Sequence, residues 1–160
     1  PPPRCVPHGR DLREILSERV PSLTTGGWAN PHRDPEAQVR FLTAPDAHAR
    51  FALSQIVSHH SLAEVEGFME ALDRAHEPPP VAYGVFFYRS ANPRTLSTLS
   101  KFFPVPIEEL TAEFEAGATS EEICARSIRE LREVGADKIY VSNLGERGIG
   151  RSLRRILALV

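Results

Sequence analysis

An amide sits inside an apolar run, and two imidazoles close it: FALSQIVSHH, residues 51–60. A buried amide left without hydrogen bonds costs about 1–3 kcal/mol. Gln55 is therefore either a satisfied core group or a group that recognises a ligand. His59 and His60, with His32 as a third nitrogen donor, have the residue types of a zinc site. Two points stand against that. Neighbours on a strand point to opposite faces, and no carboxylate or cysteine completes the set. The reading therefore assigns no metal.

The ends of the other apolar runs carry similar groups. Trp28, Asn30 and His32 follow the first run, and Ser58 stands beside the histidines after the second. Tyr88, Arg89 and Asn92 follow the third; Tyr140, Ser142, Asn143 and Arg147 lie on or after the fourth. Amides match the donor–acceptor edges of a flat heterocycle, aromatic rings stack on it, and arginine pairs with a carboxylate or phosphate. No such end offers a carboxylate. The set therefore suits recognition of a heterocycle rather than hydrolysis by paired acids or a serine triad. The plainer reading of each residue is a polar loop position, and for RSLRR, residues 151–155, a solvated helix face. Phe102–Phe103 reads as helix core, with one ring free to line a pocket mouth.

Strand-like and helix-like segments alternate around these residues. Helices are expected over 11–20, 34–43, 61–76, 92–103, 106–117, 119–135 and 148–160, and strands over 22–30, 51–57, 81–88 and 138–145. The helix starts carry their signals: Asp34 before Pro35, Asn92 before Pro93, and the pairs Ser61/Glu64 and Thr119/Glu122 as capping boxes. Gly117 and Gly135 mark helix ends. Four strands alternating with helices predict parallel βαβ units, and near-continuous apolar strands predict cover on both faces. Two architectures fit, an open doubly wound sheet or part of a (β/α)8 barrel. In both, chemistry sits at the carboxyl ends of the strands. No strand is followed by GxGxxG or a P-loop, which weakens the nucleotide-binding open sheet.

The chain has 160 residues and a formal net charge of −2, so charge makes no case for nucleic acid or an anionic membrane as partner. No apolar run is long enough to span a bilayer. Two cysteines, Cys5 and Cys124, show no metal spacing, which fits a reduced, cytoplasmic protein. The opening PPPR lacks a methionine, so a processed chain or a missing N-terminal part is expected.

The order GGWANPHRDPEAQ, FALSQIV, VAYGVFFYRSANPRTLSTLSKFF and ICARSIRELREVGADKIYVSNLG resembles the second half of the methylenetetrahydrofolate reductases, over roughly residues 22–160. The resemblance implies an α/β fold of the (β/α)8 TIM-barrel type. The chain would hold about four βα units, strands five to eight, as one domain over 1–160 with a helix in 1–21 ahead of the first strand. It implies hydride transfer from NADH or NADPH, through FAD in the family, to 5,10-methylenetetrahydrofolate. Ser54-Gln55 falls where the family has Thr-Gln, whose glutamine touches the pterin. Gln55 and Asn143 would meet the pterin, Phe102 and Tyr140 would stack, and Arg147 would stand in for an arginine that is Leu144 here. Trp28, Asn30, His32 and His59 would lie on the cofactor side. The family's Arg-Lys pair toward the flavin phosphates aligns with Thr43 and Ala44, which sets FAD back and suggests direct transfer from the nicotinamide. The family's proton donor lies in the first half of the barrel, so no catalytic acid is assigned. A missing N-terminal half or a second copy of the chain is the expected partner. The other readings are a non-catalytic pterin-binding module and another pterin- or flavin-using barrel enzyme, such as a lyase or transferase.

Overall fold

A computed structural model describes residues 8–145 and 148–160. The elements run α1 (Gly9–Arg19), β1 (Gly26–Ala29), α2 (Pro35–Thr43), β2 (Phe51–Ile56), a 3-10 turn (His59–Ser61), α3 (Leu62–Asp73), β3 (Val81–Phe86), α4 (Pro93–Leu99), α5 (Ile107–Glu115), α6 (Ser120–Glu133), β4 (Ile139–Ser142) and α7 (Ile149–Leu159). The four strands are parallel and stand in the order β1-β2-β3-β4. A doubly wound sheet reverses its strand order at a switch point; this sheet does not. Each strand pairs with the next in sequence, so the fold is mixed α/β built from consecutive βα units. No helix among the described residues is long and apolar enough to cross a membrane.

The main core lies between one face of the sheet and the helices. Ala52, Tyr83 and Val85 from the strands meet Val65, Phe68 and Leu72 of α3 and Cys124, Ala125, Ile128 and Leu131 of α6. Phe68 is fully buried, and removing such a side chain from water contributes about 1.5–3 kcal/mol. Burial, with a smaller push from Glu121, raises the Cys124 thiol to about 12. A smaller core of Tyr88, Leu96, Leu110 and Ile123 holds α4 and α5 over the carboxyl end of β3.

The expectation of cover on both faces does not hold. Burial along β2 alternates, with Ala52, Ser54 and Ile56 buried and Phe51, Leu53 and Gln55 only partly so. The helices cover one face, and the open face is furnished with rings. Two glycines make room for them. A Cβ on Gly26 would lie 2.6 Å from the ring of Phe51, and one on Gly84 would lie 2.5 Å from the hydroxyl of Tyr140. Exposed apolar residues also line the two end helices: Leu12 and Ile15 on α1, and Ile149, Leu153 and Leu157 on α7.

Most helix signals act as expected. Asp34 and Asn92 accept from Ala37 and Thr95, Thr119 and Glu122 form their capping box, and Gly117 and Gly135 take φ of +90° and +96°. One does not. Ser61 makes no side-chain cap for α3; it pairs instead with Ser58 in a box around the 3-10 turn. The helix expected over 92–103 stops at Leu99, and Phe102, expected in a core, lies in the following turn with its side chain largely exposed.

Gly84→Ala should lower stability by about 1–3 kcal/mol, the usual range for inserting a methyl into filled space. Urea unfolding measures it. Tyr140→Phe should cost about 1 kcal/mol, by removing the bond from its hydroxyl to the Ser54 carbonyl.

Candidate functional site at the carboxyl ends of the strands

The pairing of β2 with β3 is irregular where the site begins. Leu53 pairs with Ala82, but the next pair is Ile56 with Gly84. β2 therefore carries one extra residue, a bulge. Side chains satisfy the backbone groups that the bulge frees. Ser54 Oγ accepts from the Gly84 amide at 3.0 Å, and Gln55 Oε1 accepts from the Ile56 amide at 3.0 Å. The Tyr140 hydroxyl donates to the Ser54 carbonyl at 2.7 Å. Burial raises the pKa of that hydroxyl, which keeps it protonated and a donor.

Gln55 thus plays a structural part through its oxygen, while its nitrogen points to the turn after α4 and lies 3.4 Å from the Phe102 carbonyl. Asn143 sits at the end of β4 with a φ of +68°. Its Nδ2 donates to the Phe87 carbonyl at 3.0 Å, and the Arg89 guanidinium donates to the Asn143 carbonyl at 3.2 Å. Asn143, Arg89, Phe86 and Tyr88 line a hollow of about 350 Å³ beside α4. The structure therefore gathers Gln55, Phe102, Tyr140 and Asn143 at the carboxyl side of β2, β3 and β4. Arg147 lies outside the described residues.

Trp28 stands at the other edge. It pairs with Leu53, and its neighbour Ala29 is in the core, so alternation puts Trp28 on the open face, where it is 54% exposed. Three strand spacings, about 14 Å, separate β1 from β4. Asn30 and His32 organise the loop after β1: Asn30 Oδ1 accepts from the His32 amide at 3.1 Å, and the His32 ring meets the Ile56 carbonyl at 2.8 Å. The residues expected on the substrate side and those expected on the cofactor side thus occupy adjoining zones of one end of the sheet, with one exception.

His59 is the exception. The 3-10 turn carries it behind the sheet into the helix layer, against α5 and α6, rather than to the open face that holds Trp28. Its Nδ1 lies 2.8 Å from Ser127 Oγ on α6, and its Nε2 lies 2.7 Å from Glu113 Oε1 on α5. Arg126 reaches the same carboxylate oxygen at 2.7 Å. The argument that His59 and His60 must face apart fails because the two residues are not on a strand. Their rings lie with centroids 3.9 Å apart, and His60 Nε2 is 3.6 Å from Glu113 Oε1. Burial and then the neighbouring His59 lower the pKa of His60, while Glu113 acts the other way. Ser127 with His59 and Glu113 has the composition of a serine triad, but Ser127 is buried in the middle of α6, where no substrate reaches it.

Sequence reasoning missed Glu113, Arg126 and Ser127. A signal existed for two of them. Glu113 follows Leu110 by three positions on the apolar stripe of α5, and Ser127 lies among Ile123, Cys124, Ile128 and Leu131 on that of α6. A polar residue on a buried stripe requires a partner.

The positions aligned with the flavin-phosphate pair are also displaced. Thr43 and Ala44 end α2 and line a hollow with Thr25, Arg50 and Pro79, which precede strands β1, β2 and β3. They stand at the amino ends of the strands, so their lack of charge does not bear on a cofactor at the carboxyl ends. The helix termini at those ends do bear on it. Asp34, Ser58 and Asn92 already take first-turn amides after β1, β2 and β3. A pyrophosphate would compete there with the chain's own side chains for those amides. No protein-family model and no curated protein matches the chain.

Gln55→Leu should destabilise the protein by about 1–3 kcal/mol, because it leaves the Ile56 amide unpaired at the bulge. Gln55→Glu keeps an acceptor for that amide and should fall within about 1 kcal/mol of the parent. Urea midpoints of the two variants check the difference.

Proposed function

We propose that the chain is the carboxyl half of a methylenetetrahydrofolate reductase-like (β/α)8 barrel, a cytoplasmic oxidoreductase that carries hydride from NADH or NADPH to 5,10-methylenetetrahydrofolate, giving 5-methyltetrahydrofolate. The observation that carries this reading is the grouping of Gln55, Phe102, Tyr140 and Asn143 at the carboxyl side of an open, ring-lined sheet face. Gln55 Nε2 would donate to the pterin edge, and the exposed Phe102 ring would stack on it. Tyr140 holds the bulge that aims Gln55.

The barrel reading draws on the consecutive strand order and on the apolar residues left exposed on α1, α7 and the open face. Four further βα units would pair β1 and β4 and cover these surfaces. We assign that role to an N-terminal half of the same polypeptide, with a second copy of this chain as the competing occupant. At the helix starts after β1, β2 and β3 the chain's own side chains compete with a pyrophosphate for first-turn amides, although α7, after β4, starts at Gly148 without a side-chain cap. That competition disfavours tightly held FAD. It leaves the phosphates of NADH or NADPH to groups beyond this set. Nicotinamide, when bound, supplies the hydride; Trp28 offers it a ring face, and His32 and Asn30 shape the loop beside it.

A second reading, a pterin-binding module without chemistry, is favoured by one observation. No residue of the four described strands is an aspartate or glutamate, so these strands bring no acid to the open face. Trp28 is the only tryptophan in the chain and reports on the site. Titrating the full-length natural polypeptide with 5-methyltetrahydrofolate should show saturable binding by calorimetry, with a quench of emission that Trp28→Phe diminishes, and Gln55→Glu should weaken the affinity about tenfold, the loss of one hydrogen bond. NADH or NADPH oxidation that depends on the folate separates the enzyme from the module. Absence of saturable folate binding would reject both.

A further inference from the structure

We propose that His59, His60 and Glu113 bind one divalent transition-metal ion of the zinc class behind the sheet, through atoms the pterin reading does not use. Two imidazole nitrogens and a carboxylate oxygen from these residues lie within 4.8 Å of one another. Ligands at 2.0–2.2 Å from one tetrahedral zinc ion lie about 3.3–3.6 Å apart, so closure needs a contraction of up to about 1.3 Å, within reach of side-chain rotation. All three side chains are largely enclosed, at 6%, 20% and 12% exposure.

The metal-free arrangement leaves a specific deficit. His60 Nε2 and Glu113 Oε2 are buried and have no hydrogen-bond partner. Each such atom carries a desolvation penalty, and a cation between them removes both. The surroundings also suit a ligand set. Ser127 Oγ lies 2.8 Å from His59 Nδ1, and a hydroxyl either donates or accepts. Without metal, Ser127 donates to Nδ1 while Nε2–H faces Glu113. With metal, Nδ1–H donates to Ser127 and the Nε2 lone pair turns to the ion, the usual outer partner of a ligating histidine. The Arg126 guanidinium opposes a cation, but its bond goes to Glu113 Oε1 and leaves Oε2 free.

Two histidines and one carboxylate leave a fourth position for water. His60 also lines a hollow of about 170 Å³ with His32, Glu64 and Tyr88, which gives that water room. The ion would tie the turn after β2 to α5, and through Ser127 to α6. It would thereby fix the segment that follows Gln55.

Calorimetric titration of untagged, chelator-treated full chain with ZnCl2 tests the site, with CoCl2 as a spectroscopic probe and thermal melts alongside. One equivalent should bind, the cobalt form should show the strong visible bands of tetrahedral coordination, and the melting temperature should rise to a plateau at one equivalent. His60→Gln should change the metal-free melt only slightly, since Nε2 has no hydrogen-bond partner to lose and only the ring contact with His59 goes. It should weaken zinc binding by more than about 100-fold, beyond the loss typical of an outer partner. Glu113→Gln should also abolish binding, with some loss of metal-free stability from the Arg126 and His59 contacts. No saturable binding to the parent chain, or equal binding to parent and His60→Gln, would overturn the assignment.

Discussion

One extra residue in β2 sets the direction of everything beyond it. Up to the bulge, the even-numbered positions Ala52 and Ser54 face the helices. After it Val57, not Ile56, enters the main core. Ile56 turns instead to the hollow beside His32. A parallel pair cannot absorb such a shift without freeing backbone donors. Here the donors are met from within: Ser54 takes the Gly84 amide, Gln55 takes that of Ile56, and the Tyr140 hydroxyl binds the carbonyl between them. The amide that looked out of place in an apolar strand is part of the reason the strand can bend.

The same irregularity divides the chemistry of the protein between two faces. On the open face, Gln55 is held by its oxygen and keeps donor capacity on its nitrogen. Rings lie across Gly26 and Gly84, where no side chain intervenes. Behind the sheet, the chain leaves β2 through a turn capped by Ser58, which delivers His59 and His60 to Glu113. The pterin reading and the metal reading therefore rest on different atoms, although one bulge positions both. Tyr140 links three strands: its ring lies over β3, its hydroxyl holds β2, and its backbone belongs to β4.

Much of this was legible in the sequence, for physical reasons that can be named. Pro35 after Asp34, Pro93 after Asn92 and the Thr119/Glu122 pair mark helix starts through local hydrogen bonds, and local rules suffice for them. The alternation of segments gave the parallel sheet. What failed depended on contacts distant in sequence. Glu113 lies 54 positions from His59, so no spacing rule could pair them. Glu64 was the expected partner of Ser61, and the 3-10 turn, which no local signal announced, gives it Ser58 instead. The apolar composition of the strands suggested cover on both faces, whereas their inner residues are rings and small side chains that leave one face open. Thr43 and Ala44 were misplaced because helix length, not residue type, decides which end of the sheet a position reaches.

The central claim is that the open face and the unpaired edges of β1 and β4 are completed in the working protein, and that the site lies on that face. Hydrogen–deuterium exchange of the strand amides tests this most directly, measured on this chain and on the full-length natural polypeptide. The account predicts slow exchange in β2 and β3 in both, with β1 and β4 exchanging fast in this chain and becoming slow in the complete protein. Fast exchange of β1 and β4 in the complete protein would show that nothing pairs with these edges and would contradict the barrel.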